Sequence, residues 1–196
     1  MAKLLSALPV GSVVKSTNTK YNGKVIRWIV GTQDTANGRT GLVAEKMITL
    51  KCFDAKEPSN PNSNRQSYGN NRYSQSNIDQ WLNSADAAWY SARHSYDAPP
   101  NNANVWSNYN EYDTEAGFLA NFETDFRNAI LDAVIRVAKN TVTDGGGYED
   151  ITRKVFLLSN TEVGLSNENG VAEGTLWSYF SSAARRQCYP TAEAVS

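Results

Sequence analysis

The alternation of apolar and polar positions predicts strands first. Residues 10–17 (VGSVVKST) and 24–31 (KVIRWIVG) are β-branched runs flanking Asn22-Gly23, a dipeptide favoured in tight hairpin turns. In the second run Val25, Arg27 and Ile29 alternate with Ile26, Trp28 and Val30. Both faces are largely apolar, so this strand is expected to be central. Residues 41–50 (GLVAEKMITL), after the Asn37-Gly38 turn, predict a third strand and complete an antiparallel meander. Further on, β-branched density predicts a strand at about 133–143, a flexible loop at Asp144–Gly147, and another strand over 153–158 (RKVFLL).

Helical spacing appears between these runs. Ser76 can cap a short helix with Asp79 at the capping-box position, and Ile78, Trp81 and Leu82 share one face. Phe118, Phe122, Phe126 and Ile130 recur every four residues and predict a helix over Gly117–Leu131 with one buried stripe. Ser159-Asn160-Thr161-Glu162 is a capping box that would open a short helix. Thr175–Phe180 offers another turn anchored by Leu176, Trp177 and Phe180. The sum is an α+β domain: a small antiparallel sheet, two or more helices and long loops. At 196 residues the chain fits one domain, 1–196, able to bury a core without staples.

Composition changes this picture in one place. Between Asn60 and Tyr112 lie twelve Asn, six of the ten Tyr and three of the five Trp. The region at about 55–115 therefore reads as long ordered loops rather than disorder, which is poor in aromatics. Tyr and Trp supply rigid amphipathic contact area and Asn supplies adaptable hydrogen bonds, the chemistry of paratopes. Trp81 belongs to the helix stripe. Trp89, Tyr90, Trp106, Tyr109 and Tyr112 are the candidate ligand- or partner-binding residues.

The remaining chemistry is thin. A net charge of −1 gives no electrostatic case for nucleic acid, and no apolar run approaches the roughly 20 residues of a membrane helix. The opening MAKLLSALPVGSVV is broken by Pro9 and Gly11 and reads as mature sequence entering a strand. The sole histidine, His94, has Ser91, Ser95 and Asp97 nearby in sequence. Triad members rarely sit so close together, and no nucleophile-elbow motif is present, so His94 reads as a loop residue and no catalytic residue is expected. Cys52 and Cys188 form no metal or redox motif and read as two buried thiols. Glu111, Asp113 and Glu115, or Asp144, Glu149 and Asp150, could offer oxygens to calcium. Neither set has EF-hand spacing, and acids before helices are ordinarily caps, so neither a metal nor another cofactor is expected.

The order of several segments carries a resemblance. LPVGSVVK, VIRWIVG, GLVAEKMIT, SNIDQWLN, FRNAIL, KVFLLSNTEVG and RRQCYPTAEAV resemble an uncharacterised domain family common in bacteriophage structural genes and gut bacteria. That family is similar in pattern to C-type-lectin-like and formylglycine-generating-enzyme-like folds. A Trp-Trp-Leu-Arg-Ser-Pro segment and a Gly-x-Arg-Pro-Ala strand, usual in the family, do not follow here, so the resemblance is to the first two-thirds of the domain. It implies a non-enzymatic virion component (tail, fibre or capsid decoration) that binds a host-surface glycan or protein, or neighbouring virion subunits and copies of itself. A formylglycine-generating-type enzyme or a bacterial cell-surface module is the alternative. Cys52 and Cys188 do not resemble the reactive pair such an enzyme needs.

Overall fold

The computed structural model describes residues 4–106, 109–167 and 169–195. Strands β1 (Val13–Tyr21), β2 (Lys24–Asp34) and β3 (Arg39–Ala44) form an antiparallel meander in the order β1-β2-β3. The β1–β2 turn places Asn22 and Gly23 at φ of 47° and 75°. This double left-handed conformation matches the right-handed twist of the strands it joins. β2 is central, as its two apolar faces require, and buries Ile26, Ile29 and Val30. Strands β4 (Ala133–Ala138) and β5 (Tyr148–Arg153) form a second, two-stranded antiparallel sheet across the glycine loop. Among the described residues three short α-helices accompany them: α1 (Ser63–Tyr68), α2 (Asn77–Leu82) and α3 (Thr124–Ala129). The fold is α+β, and among the described residues no helix is long and apolar enough to cross a membrane.

The chain forms two compact units. The first gathers residues 1–49, 123–131 and 158–196, and the second gathers 50–122 and 132–157. In the first, Trp177 lies against the meander at two glycines. A Cβ at Gly31 would sit 2.5 Å from its ring, and one at Gly41 2.9 Å away. The indole N–H donates to Glu162 at 3.2 Å. The C-terminal stretch is tied to the same unit by a parallel bridge between Met47 and Pro190.

Several elements differ from the sequence expectation, each for a local reason. The helix expected over 117–131 is two pieces, a 3₁₀ turn at Phe118–Asn121 and then α3. Phe122 between them is extended, and the next amide, Glu123, donates to Asn18 of β1 at 3.0 Å instead of continuing a helix. Phe118 and Phe122 are buried, whereas Phe126 and Ile130 are half-buried. The strand expected at 153–158 ends at Arg153. Beyond it, the amides of Lys154 and Val155 donate to Asn83 Oδ1 and that of Leu157 donates to the Tyr73 hydroxyl, so side chains replace a neighbouring strand. The capping box at 159–162 forms reciprocally: Ser159 N–H donates to Glu162 at 3.0 Å and Glu162 N–H to Ser159 Oγ at 3.1 Å. It opens a turn rather than a helix, because Gly164, two residues after it, adopts φ +74°. The meander strands are offset from the expected 10–17 and 41–50, and the strand expected at 133–143 stops at Ala138, where the turn to β5 begins. Cys188 is exposed rather than buried, and both cysteines are free thiols.

Candidate binding site in the second unit

Asparagine side chains build this site by replacing regular secondary structure. Asn62 caps α1, accepting from the amides of Asn64 (3.0 Å) and Arg65 (3.2 Å). The helix ends at Gly69, with φ +75°. A side chain there would be strained and would meet the Ala55 carbonyl at 2.3 Å. The sharp exit aims the Asn70 amide at Asp54 Oδ2, 2.7 Å away, while the Asn77 amide at the start of α2 reaches Asp54 Oδ1 at 2.9 Å. Asn77 then bridges two loops. Its Oδ1 accepts from the Ala55 amide at 2.8 Å and its Nδ2 donates to Asp97 at 3.3 Å.

Glu57, Asp97 and His94 surround Asp54. Glu57 is fully buried and accepts from Asn60 Nδ2. Asp97 accepts from the Arg93 amide at 2.7 Å, closing the 93–97 loop on itself. Burial pushes the Asp54 carboxyl up to about 7, against the pull of its two backbone donors. The Tyr90 phenol is pushed up to about 12 by burial and then by the nearby Asp97 and Asp54 charges.

On the outer side Asp54 lines a shallow pocket of about 130 Å³ with Phe53, Lys56, Tyr68, Asn104 and Trp106. Tyr68 on α1 and Trp106 stack at 5.5 Å and 29°, yet are 67% and 61% exposed. The Lys56 ammonium lies 5.7 Å from the Trp106 ring centre. An aromatic platform with a carboxyl, an amide and an ammonium at its edge suits a ring-shaped ligand with one apolar face and polar rim groups.

The domain family DUF6273, described as a domain of unknown function, matches residues 37–196. The chain belongs to the DUF6273 family. No curated protein and no solved structure matches it.

The DUF6273 domain divides the five aromatic residues singled out from sequence. Trp89 and Tyr112 are core. Their rings stack at 5.4 Å and 10°, the Trp89 N–H donates to the Tyr112 carbonyl at 3.2 Å, and the Tyr112 hydroxyl donates to the Cys52 carbonyl at 3.0 Å. With both polar handles satisfied inside, neither presents a contact surface. Tyr112 also meets Trp81 edge-on at 5.7 Å, and Trp81 meets Phe118 at 5.2 Å, so the expected core role of Trp81 extends into an aromatic cluster. Tyr90 lies beside the acidic cluster, and Trp106 and Tyr109 are exposed. Sequence reasoning missed Tyr68, because nothing in QSYGNN announces that α1 will turn it toward Trp106. His94 lies in a loop, as expected from the sequence. The signal available was a lone histidine three residues before an aspartate, which does not reveal Asp54 and Glu57 some forty residues earlier.

The two acidic groups weighed as calcium ligands are mostly dispersed among cations. Asp144 pairs with Arg65 at 3.5 Å, Glu149 with Arg72 at 2.6 Å, Asp150 with Arg136 at 2.8 Å, and Glu115 with Lys51. Cys52 is half-buried, and its thiol is pushed up to about 11 by that burial.

Proposed function

We propose that this domain is a non-catalytic recognition module of a bacteriophage virion (tail, fibre or capsid decoration), in which Tyr68 and Trp106 form a platform for a host-surface saccharide. The observation that carries this reading is the exposed aromatic pair over a pocket edged by Asp54, Lys56 and Asn104. Large aromatic side chains left in water at a concave site are a common mark of a binding surface. The pocket is smaller than the roughly 300–1,000 Å³ of drug-sized sites, so it suits one sugar ring at a time. A virion carrying many copies would gain its grip by avidity rather than by one tight site. The virion setting and a lectin-like arrangement rest on the resemblance of the segment order to phage structural domains. Neighbouring virion subunits, copies of this chain included, are the other proposed partners, with exposed Tyr109 on the face offered to them.

The test is a glycan array with the purified chain, followed by titration of the retained saccharide against Trp106→Ala and Tyr68→Ala. Each variant should bind at least about tenfold more weakly, a loss of about 1.4 kcal/mol, with an unchanged melting temperature. Retention of no glycan by the wild type, or wild-type affinity in both variants, would overturn the reading.

A further inference from the structure

The chain's single histidine is held in a way that loop histidines are not. The His94 side chain is only 10% exposed. Its Nδ1 lies 3.0 Å from the Ser95 carbonyl oxygen, which can only accept, so Nδ1 carries the proton. In the neutral ring the lone pair then sits on Nε2. That atom is buried with no hydrogen-bond partner, 3.9 Å from Asp97 Oδ1. A second buried atom without a hydrogen bond lies beside the same ring. Glu57 Oε1 is 3.8 Å from His94 Nδ1 and 3.9 Å from Arg65 Nη1. One oxygen of Asp54, one of Glu57 and one ring nitrogen of His94 lie within 4.8 Å of one another.

These separations are too long for hydrogen bonds. Two donors at about 2.1 Å from one metal sit roughly 3–4 Å apart, so a set within 4.8 Å needs only small side-chain shifts to close on an ion. The charge balance points the same way. Asp54, Glu57 and Asp97 bring three nearly inaccessible carboxyl groups together, and Arg65 beside Glu57 is also engaged by Asp144. Buried carboxylates without full compensation are costly. The outer contacts are those that orient ligands: a carbonyl on the far nitrogen of the histidine, and backbone amides on both oxygens of Asp54, each of which keeps a further lone pair.

We propose that Asp54, Glu57 and His94 bind one divalent transition-metal ion, zinc in preference to manganese. The imidazole disfavours calcium and magnesium, which take oxygen ligands, and a mixed nitrogen–oxygen set ranks zinc above manganese. The ion would tie the 54–57 segment to the 93–97 loop and fix the Asp54 carboxylate in the wall of the aromatic pocket.

The test uses the full chain, free of any affinity tag and stripped with chelator. Equilibrium dialysis with elemental analysis against zinc, manganese and calcium should show about one zinc per chain, weaker manganese and no calcium at matched concentration. His94→Ala and Glu57→Gln should each weaken zinc at least tenfold, whereas Trp106→Ala should leave it unchanged, which separates this site from saccharide binding. Because His94 is the only histidine, its ring gives one set of signals in a long-range ¹H–¹⁵N spectrum. On adding zinc the Nε2 resonance should move while Nδ1 keeps its proton. No stoichiometric zinc, equal affinity for calcium, or wild-type zinc affinity in both variants would overturn the proposal. Should either variant fail to fold, an unmoved His94 resonance in the wild type would overturn it alone.

Discussion

At the scale of single residues, burial sets the chemistry that sequence left undecided. Asp54 follows a cysteine and a phenylalanine in an unremarkable loop, and no spacing marks it. Its character comes from a nearly inaccessible position and from the amides of Asn70 and Asn77, one on each carboxylate oxygen. Burial wins and lifts its pKa to about 7. The consequence for stability has a definite sign. Below the ordinary carboxyl range both folded and unfolded forms hold the proton. From about pH 4 the unfolded chain releases it while the folded chain keeps it to about 7. The contribution of Asp54 is therefore full in acid and lost as pH rises through this window, at up to about 1.4 kcal/mol per pH unit. Asp54→Asn removes the titration and adds a roughly constant cost, because an amide nitrogen cannot accept from a backbone N–H. Urea unfolding at several pH values between 4 and 8, in chelator, should show wild-type stability falling toward that of the variant as pH rises. A difference between the two that does not change with pH would mean that Asp54 is ionised throughout.

At the scale of elements, period and turn chemistry were legible and tertiary substitution was not. The meander, its Asn-Gly turn, central β2, the Ser76 cap of α2 and the reciprocal Ser159–Glu162 hydrogen bonds all follow from short-range patterns. A full capping box would turn the Asp79 carboxylate back onto the Ser76 amide. Ser76 Oγ does accept from the Asp79 amide at 3.3 Å, but the Asp79 carboxylate turns away to Arg153 of β5, with two contacts of 2.6 Å. The helix over 117–131 failed in the same manner. A four-residue aromatic period is equally satisfied by a 3₁₀ turn, an extended residue and a second helix when β1 takes the Glu123 amide. This breaks the equivalence of the stripe. Phe122 is buried, with its ring 5.0 Å from Phe118 at 70°, while Phe126 is half-buried. Phe122→Ala should cost about 3–5 kcal/mol and Phe126→Ala about 1 kcal/mol, as read by chemical denaturation. Equal losses would restore the single continuous stripe.

At the scale of the whole molecule, the path of the chain matters more than the order of its elements. The second unit is made of residues 50–122 and 132–157, interrupted only by 123–131. The first is assembled from three separated pieces and cannot be excised as one stretch. The two units therefore differ in what a single cut can isolate. Within the second lie the buried aromatic cluster of Trp81, Trp89, Tyr112 and Phe118, the ion pair of Asp79 with Arg153, and the pocket with its neighbouring Asp54, Glu57 and His94. A core of that kind, fixed by indole N–H groups donating to the carbonyls of Ala116 and Tyr112, supports cooperative packing without help. A fragment spanning 50–157 should therefore melt cooperatively and keep the near-ultraviolet circular dichroism of its packed Trp rings, with 123–131 acting as a tether. It should also bind the same saccharide and the same metal as the full chain, because every residue assigned to either site lies between 53 and 109. A fragment that keeps far-ultraviolet signal but loses the near-ultraviolet bands and melts without a transition would show that the two units fold only together. Both sites would then depend on the integrity of residues far from them in sequence.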